Sequence, residues 1–99
     1  MTINKSSDKP NLKFSIQGRI DTNTSPELDK AVNESIDGVT NLIFDFEKVE
    51  YISSAGLRVL LSAQKKMNKQ GTMKVINVGD AIMEIFEVTG FIDILNIEE

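Results

Sequence analysis

The stretch YISSAGLRVLL, residues 51–61, decides how the rest of the chain is read. Two serines, an alanine and a glycine stand directly before a leucine-rich run. Leu57, Leu60, Leu61 and Met67 repeat at helical spacing, Lys65, Lys66 and Lys69 complement the negative end of the helix dipole, and Gly71 closes the segment. Upstream, LIFDF at residues 42–46 is a compact apolar run of the kind expected for a central strand covered on both faces. Asp45 is its exception, and it either lies toward a strand end or reaches a partner. The local unit is therefore strand, serine loop, helix.

The same grammar extends outward in both directions. LKFSIQ, residues 12–17, alternates Leu12, Phe14 and Ile16 with polar residues, which predicts a half-buried strand. A short strand at residues 2–5 precedes it across the turn-rich SSDKPN. After Gly18-Arg19-Ile20-Asp21 comes TNTSPE, a helix start. Thr24 or Ser25 can cap it, Pro26 suits its first turn, and Glu27 favours the positive dipole end. Leu28, Ala31, Val32 and Ile36 continue that helix, and Gly38 ends it. MKVINV, residues 73–78, predicts another strand. Asp80 then caps a helix carrying Ile82, Ile85 and Phe86 and stopped by Gly90, and the tail FIDILNIEE reads either as a helical turn or as a short strand.

The order β-β-α-β-α-β-α predicts a single α/β domain over residues 1–99, with helices packed on a mixed, mainly parallel sheet of four to five strands. In such a sheet the loops at Asp21–Thr24, Ser53-Ser54 and Gly79-Asp80 should leave the carboxyl ends of parallel strands along one edge, where functional surfaces of open α/β sheets concentrate. Asp21 and Ser54 are then expected to be spatial neighbours.

Composition removes several function classes. The 99 residues contain no His and no Cys, so zinc sites of the usual kinds and Ser-His-Asp or Cys-His catalysis are excluded. The net charge of −4 disfavours nucleic acid, and the one lysine cluster is accounted for as a solvated helix end. No apolar run is long enough to span a membrane, and the N-terminal MTINKSSDKPN lacks the apolar core of a secretory signal, which points to the cytoplasm.

Three roles then compete for the serines: helix cap, nucleophile, or target of modification. One serine suffices as the N-cap. The nucleophile reading lacks both a GxSxG elbow and a histidine base, and no phosphate-binding GxxxxGK[ST] is present. Modification is physically comfortable. A phosphate adds roughly −1.5 to −2 charge, which a helix N-terminus tolerates and a packed partner surface does not. Asp21, Asp45 and Asp80 raise the thought of a Mg²⁺ site, but carboxylates at strand ends and caps ordinarily serve structure, and no metal or other cofactor is expected.

Three stretches together resemble the STAS domain family, in particular its small bacterial anti-sigma factor antagonists. They are GRID at Gly18–Asp21 with Thr24 and Leu28 beyond it, LIFDFEKVEYISSAGLRVLL at Leu42–Leu61, and VINV at Val75–Val78 leading into IFEVTGF at Ile85–Phe91. The resemblance implies a switch rather than an enzyme. The unphosphorylated antagonist binds an anti-sigma factor that is itself a GHKL-type serine kinase and frees the sigma factor. Phosphorylation inactivates it, and a PP2C-type phosphatase restores it. Aligned on Gly56-Leu57, Ser54 takes the phosphoacceptor position, while Ser53, the second choice, stands where the family usually has aspartate. The resemblance places Asp21, Thr22, Asn23, Thr24, Ser53, Ser54, Ala55, Gly56 and Arg58 at the partner-binding edge, and implies a monomer when free, with no nucleic acid and no membrane insertion. The alternative is an adaptor subunit of a transporter or stress-signalling assembly, without a phosphorylation cycle.

Overall fold

A computed structural model describes all of residues 1–99. The elements are β1 (Thr2–Asp8), β2 (Asn11–Ile20), α1 (Ser25–Ser35), β3 (Asn41–Ile52), α2 (Ser54–Met67), β4 (Thr72–Ile76) and α3 (Asp80–Thr89), followed by a 3₁₀ turn at Phe91–Asp93. The sheet order is β1-β2-β3-β4. β1 runs antiparallel to β2, and β2, β3 and β4 are mutually parallel. The mixed four-stranded α/β sheet is the expected one, and the hairpin is longer than its sequence suggests: β1 runs to Asp8 and only Lys9 and Pro10 form the turn. The tail satisfies both of its readings. Its 3₁₀ turn leads to a parallel bridge between Ile97 and Val75 on the outer side of β4.

The alternation in β2 and β3 decides where the helices go. Leu12, Phe14 and Ile16 and their neighbours Leu42, Phe44 and Phe46 are buried on one face, with Met73 and Val75 from β4. Phe14 and Phe44 stack at 5.7 Å, and Phe46 packs against Phe86 of α3 at 6.2 Å. Leu28 and Val32 of α1 and Leu57, Leu60 and Met67 of α2 complete a single cluster of 23 buried residues. The opposite face carries Lys13, Ser15, Ile43 and Asp45, none of them fully buried. LIFDF is therefore covered on one face only, contrary to the sequence expectation. Both βαβ crossovers put their helices on the same side, as right-handed connections between sequential strands require.

Asp45 owes its place to that open face. Its carboxylate accepts from the Glu47 N–H (3.0 Å) and the Asn77 side-chain amide (3.1 Å), and Lys13 Nζ lies 3.7 Å away. Partial burial works to raise its pKa, and these donors outweigh that and hold it below the usual carboxylate range. Asn77 has a left-handed backbone, φ 56°, a conformation Asn tolerates well, so Asp45 pins the turn that leads from β4 toward α3.

β3 is much longer than its apolar run. The pairing with β2 shifts twice, so that Ser15 faces Asp45, Gln17 faces Lys48, Gly18 faces Val49 and Arg19 faces Tyr51. Each shift inserts one extra residue on β3, and two bulges together restore the original face, returning Ile52 to the core opposite Ile20. β4 pairs only with Asn41–Asp45, so the distal half of β3 has one neighbour.

Gly71 lies closest to neighbouring backbone among the glycines. A Cβ there would lie 2.0 Å from the Thr40 carbonyl oxygen, where the chain enters β3 and β4 together. Gly71→Ala should lower the unfolding free energy by about 3 kcal/mol, because relief requires moving backbone rather than a side chain. Urea denaturation of the two proteins at equal m-value measures it.

Candidate functional site at the N-terminus of the second helix

α2 begins against the ends of β2 and β3. The Ser53 N–H donates to the Ile20 carbonyl at 2.8 Å, so the residue after β3 is tied to the last residue of β2. Ser53 is extended (φ −89°, ψ 174°), and its hydroxyl accepts from the Gly56 N–H at 3.3 Å while its carbonyl accepts from Leu57 at 2.9 Å. Gly56 is buried between the two strands: a Cβ would lie 2.7 Å from both Ile20 Cγ2 and Ile52 Cγ1. The small residue lets the first turn of α2 sit directly on the strand ends. Ser53 thus serves as cap through its hydroxyl oxygen and as strand tie through its N–H. Ser54, the first helical residue, is exposed, and its hydroxyl has no hydrogen-bond partner in the chain.

The neighbouring loop is built around Asp21. Its carboxylate accepts from the backbone N–H groups of Asn23 and Thr24, each at 3.0 Å, and from the Thr24 hydroxyl at 3.2 Å. Thr24 Oγ1 also receives the Asp21 N–H and lies 2.8 Å from the Arg19 carbonyl, to which it can donate instead. The Ser25 hydroxyl donates to the Asp21 carbonyl. Neither Thr24 nor Ser25 therefore caps α1 through its side chain, as the sequence suggested. Thr24 occupies the N-cap position but turns its hydroxyl back into the loop. The Thr24 N–H is the main influence holding the Asp21 carboxyl below its ordinary range, against partial burial and with help from the Thr24 hydroxyl, the Asn23 N–H and the Arg19 guanidinium.

Two of the three predicted loops converge, and the third does not. The Asp21–Thr24 loop and the Ser53–Gly56 turn share the Ile20–Ser53 hydrogen bond. Thr22 and Ser25 face Ala55 and Arg58 across a shallow cleft between the starts of α1 and α2, with Asp29 and Ser62 one turn deeper. β4, in contrast, ends opposite Asp45, and β3 runs on for the length of Phe46–Ile52, roughly 15–20 Å of strand. Gly79 and Asp80 follow the shorter strand and share neither hydrogen bond nor cleft with the Ile20–Ser53 edge. Gly79 rather than Asp80 is the N-cap of α3, with no side-chain cap bond. Asp21, Asp45 and Asp80 form no acidic cluster of the kind that holds a metal ion.

Sequence reasoning missed four residues at this edge, Arg19, Tyr51, Asp29 and Ser62. The Arg19 guanidinium lies 4.4 Å above the Tyr51 ring and 3.9 Å from the Asp21 carboxylate. Their pairing depends on the two bulges, which no periodicity announces. Asp29 and Ser62, by contrast, lie four residues beyond Ser25 and Arg58, and helical spacing could have placed them in the cleft.

The sequence model of the STAS domain matches residues 2–99, and the chain belongs to that family. It is 29% identical over 86 residues to the anti-sigma-B factor antagonist of Staphylococcus aureus, covering 85% of this chain and 80% of that one. The crystal structure of an anti-sigma factor antagonist from Mycobacterium paratuberculosis superposes with a TM-score of 0.88 at 26% identity, over 98% of this chain and 84% of the other. The antagonist SpoIIAA in its unphosphorylated form shares the fold at a TM-score of 0.78 and 14% identity, over 99% and 88% of the two chains.

The two serines should separate in stability measurements. Ser53→Ala removes the cap and is expected to cost about 1 kcal/mol, and Ser54→Ala should stay within about 0.5 kcal/mol of the parent. Thermal or urea unfolding of both variants provides the comparison. Asp21 supplies an acid signature. Its folded pKa is depressed, so its stabilising contribution is complete above the unfolded value of roughly 4 and is lost as pH falls through the folded value. Asp21→Asn should flatten the stability profile of the parent below about pH 4, read from unfolding midpoints across the acid range.

Proposed function

We propose that this protein is an anti-sigma factor antagonist whose binding edge is switched off by phosphorylation of Ser54. One observation carries the reading. Of the two serines at the start of α2, Ser53 is consumed by the helix cap and the strand tie, and Ser54 alone presents a free, exposed hydroxyl. The names of its relatives support the same role.

The binding surface comprises the Asp21–Thr24 loop with the turn Ser53–Gly56 and Arg58. Its partner is an anti-sigma factor that doubles as a GHKL-type serine kinase, and docking on this edge releases the sigma factor. The kinase transfers the γ-phosphoryl of ATP to the Ser54 hydroxyl, whose proton is lost to solvent or to a kinase base. A PP2C-type phosphatase hydrolyses the ester. The chain itself acts as substrate and switch rather than as catalyst, and it works in the cytoplasm; none of its helices is long and apolar enough to cross a membrane.

The physical basis of the switch is a change of charge on a fixed scaffold. Phosphate on Ser54 adds roughly −1.5 to −2 charge to the edge that also carries the Asp21 loop. The free N–H groups and positive dipole end of α2 keep that charge tolerable for the fold. A partner packed against the same turn has to desolvate it, and an acidic partner is repelled as well.

Incubation with the cognate kinase and ATP should add one phosphate, mapped to Ser54 by peptide mass spectrometry. Ser54→Ala should abolish the label and retain binding to the anti-sigma factor. Ser54→Asp should weaken that binding at least about tenfold with an unchanged circular dichroism spectrum. Full labelling of Ser54→Ala would sink the site, and no labelling by a demonstrably active kinase favours the adaptor role.

A further inference from the structure

The geometry points to a second docking surface, between α3 and the C-terminal tail, that takes an extended cationic segment with apolar side chains from a partner protein. Three of the four large hydrophobic residues that the molecule leaves exposed, Val88, Ile92 and Ile94, fall in this short region, with Val88 81% exposed. Of the three, Ile92 lines a groove together with Met83, Leu95 and Ile97, and the rim of that groove carries Glu87 and Glu99. Glu98, also on the rim, is partly engaged by Lys74 at 3.4 Å.

Charge selects the occupant. Asp80, Glu84, Glu87, Asp93, Glu98 and Glu99 give residues 80–99 six carboxylates, with no Lys or Arg among them. In residues 1–79 the eleven cations of the chain outnumber nine carboxylates. The acidity of the protein is thus concentrated around its exposed apolar residues. Such a rim repels anionic lipid surfaces and nucleic acid and favours Lys or Arg beside the apolar anchors of a protein segment.

The backbone selects the conformation. Val75 donates to the Asn96 carbonyl and accepts from the Glu98 N–H, the pattern of a parallel bridge. Ile97 between them has no backbone hydrogen bond of its own, so its N–H and C=O face away from β4. The outermost edge of the sheet is open beside the groove, and an added strand would pair there while alternate apolar side chains enter the groove. A second copy of this chain is a poorer match: Lys65, Lys66 and Lys69 lie at the end of α2 and in the turn after it, without apolar anchors, and in the exposed edge strand β1 the charge of Lys5 is offset by Asp8. None of the residues lining the groove belongs to the Asp21 loop or to the start of α2, so this surface is separate from Ser54 and should bind in both phosphorylation states.

The test is a ¹⁵N NMR titration of the full chain with a short peptide alternating Lys and Val, and with its Glu/Val counterpart. Shifts confined to Met83, Glu87 and residues 92–99, slowed amide exchange at Ile97, and binding by the Lys/Val peptide alone are expected. Added salt should weaken it. Ile92→Lys, at an exposed position that leaves the fold intact, should weaken binding at least about tenfold, and Glu87→Gln with Glu99→Gln about threefold. No shifts, equal binding of both peptides, an Ile92→Lys protein that binds like the parent, or shifts that grow with protein concentration alone would overturn the inference, the last in favour of self-association. None of these readouts involves Ser54, so the phosphorylation switch stands or fails separately.

Discussion

The structure depends on how closely the first turn of α2 approaches the ends of β2 and β3. Gly56 fills the space between Ile20 and Ile52, and the Ser53 N–H closes onto the Ile20 carbonyl. A larger residue at position 56 would lift the helix from the strands and separate the two loops of the binding edge. The contact does several jobs at once. It seats the Leu57 and Leu60 face of α2 in the core, consumes the first serine, and leaves the second at the rim. Packing and exposure at the site are two sides of one steric constraint.

The Asp21 loop is stiff for a related reason. Its carboxylate gathers the Asn23 and Thr24 N–H groups, Thr24 ties back to Arg19, and Ser25 closes on the Asp21 carbonyl. The backbone of this short loop is held by bonds within the loop, so little backbone ordering remains to be done when a partner docks. Phosphorylation of Ser54 then changes charge on a surface whose shape is already set, which suits a switch read by a partner rather than by the fold. The apolar, acidic region after α3 is built differently, with unpaired backbone at Ile97 and side chains that find no cover within the chain.

The order of elements, the parallel sheet and the core residues of β2, α2 and α3 were legible because each rests on short-range periodicity. Asp45 was flagged as anomalous in the sequence but could not be placed, since its partners Lys13 and Asn77 come from two other strands or their ends. The distal half of β3 was invisible. Its KVEY alternates out of phase with the buried Leu42, Phe44 and Phe46 because a bulge intervenes, and the second neighbouring strand stops at Ile76. That same extension leaves the Gly79-Asp80 loop off the edge it was expected to share.

Local chemistry alone determined that a helix starts at the serines, that a turn forms around Asp21, that His- or Cys-based catalysis is impossible, and that the chain resembles one family. Those features depend on neighbours in sequence, whose spacing is written in the chain. Only the tertiary structure decided which serine is consumed and which is free, that Arg19 stacks on Tyr51, that one sheet face stays open, and that two loops rather than three converge. Each of these depends on strand register, and register is settled by packing over the whole sheet: a shift of one residue moves every side chain of a strand to the other face.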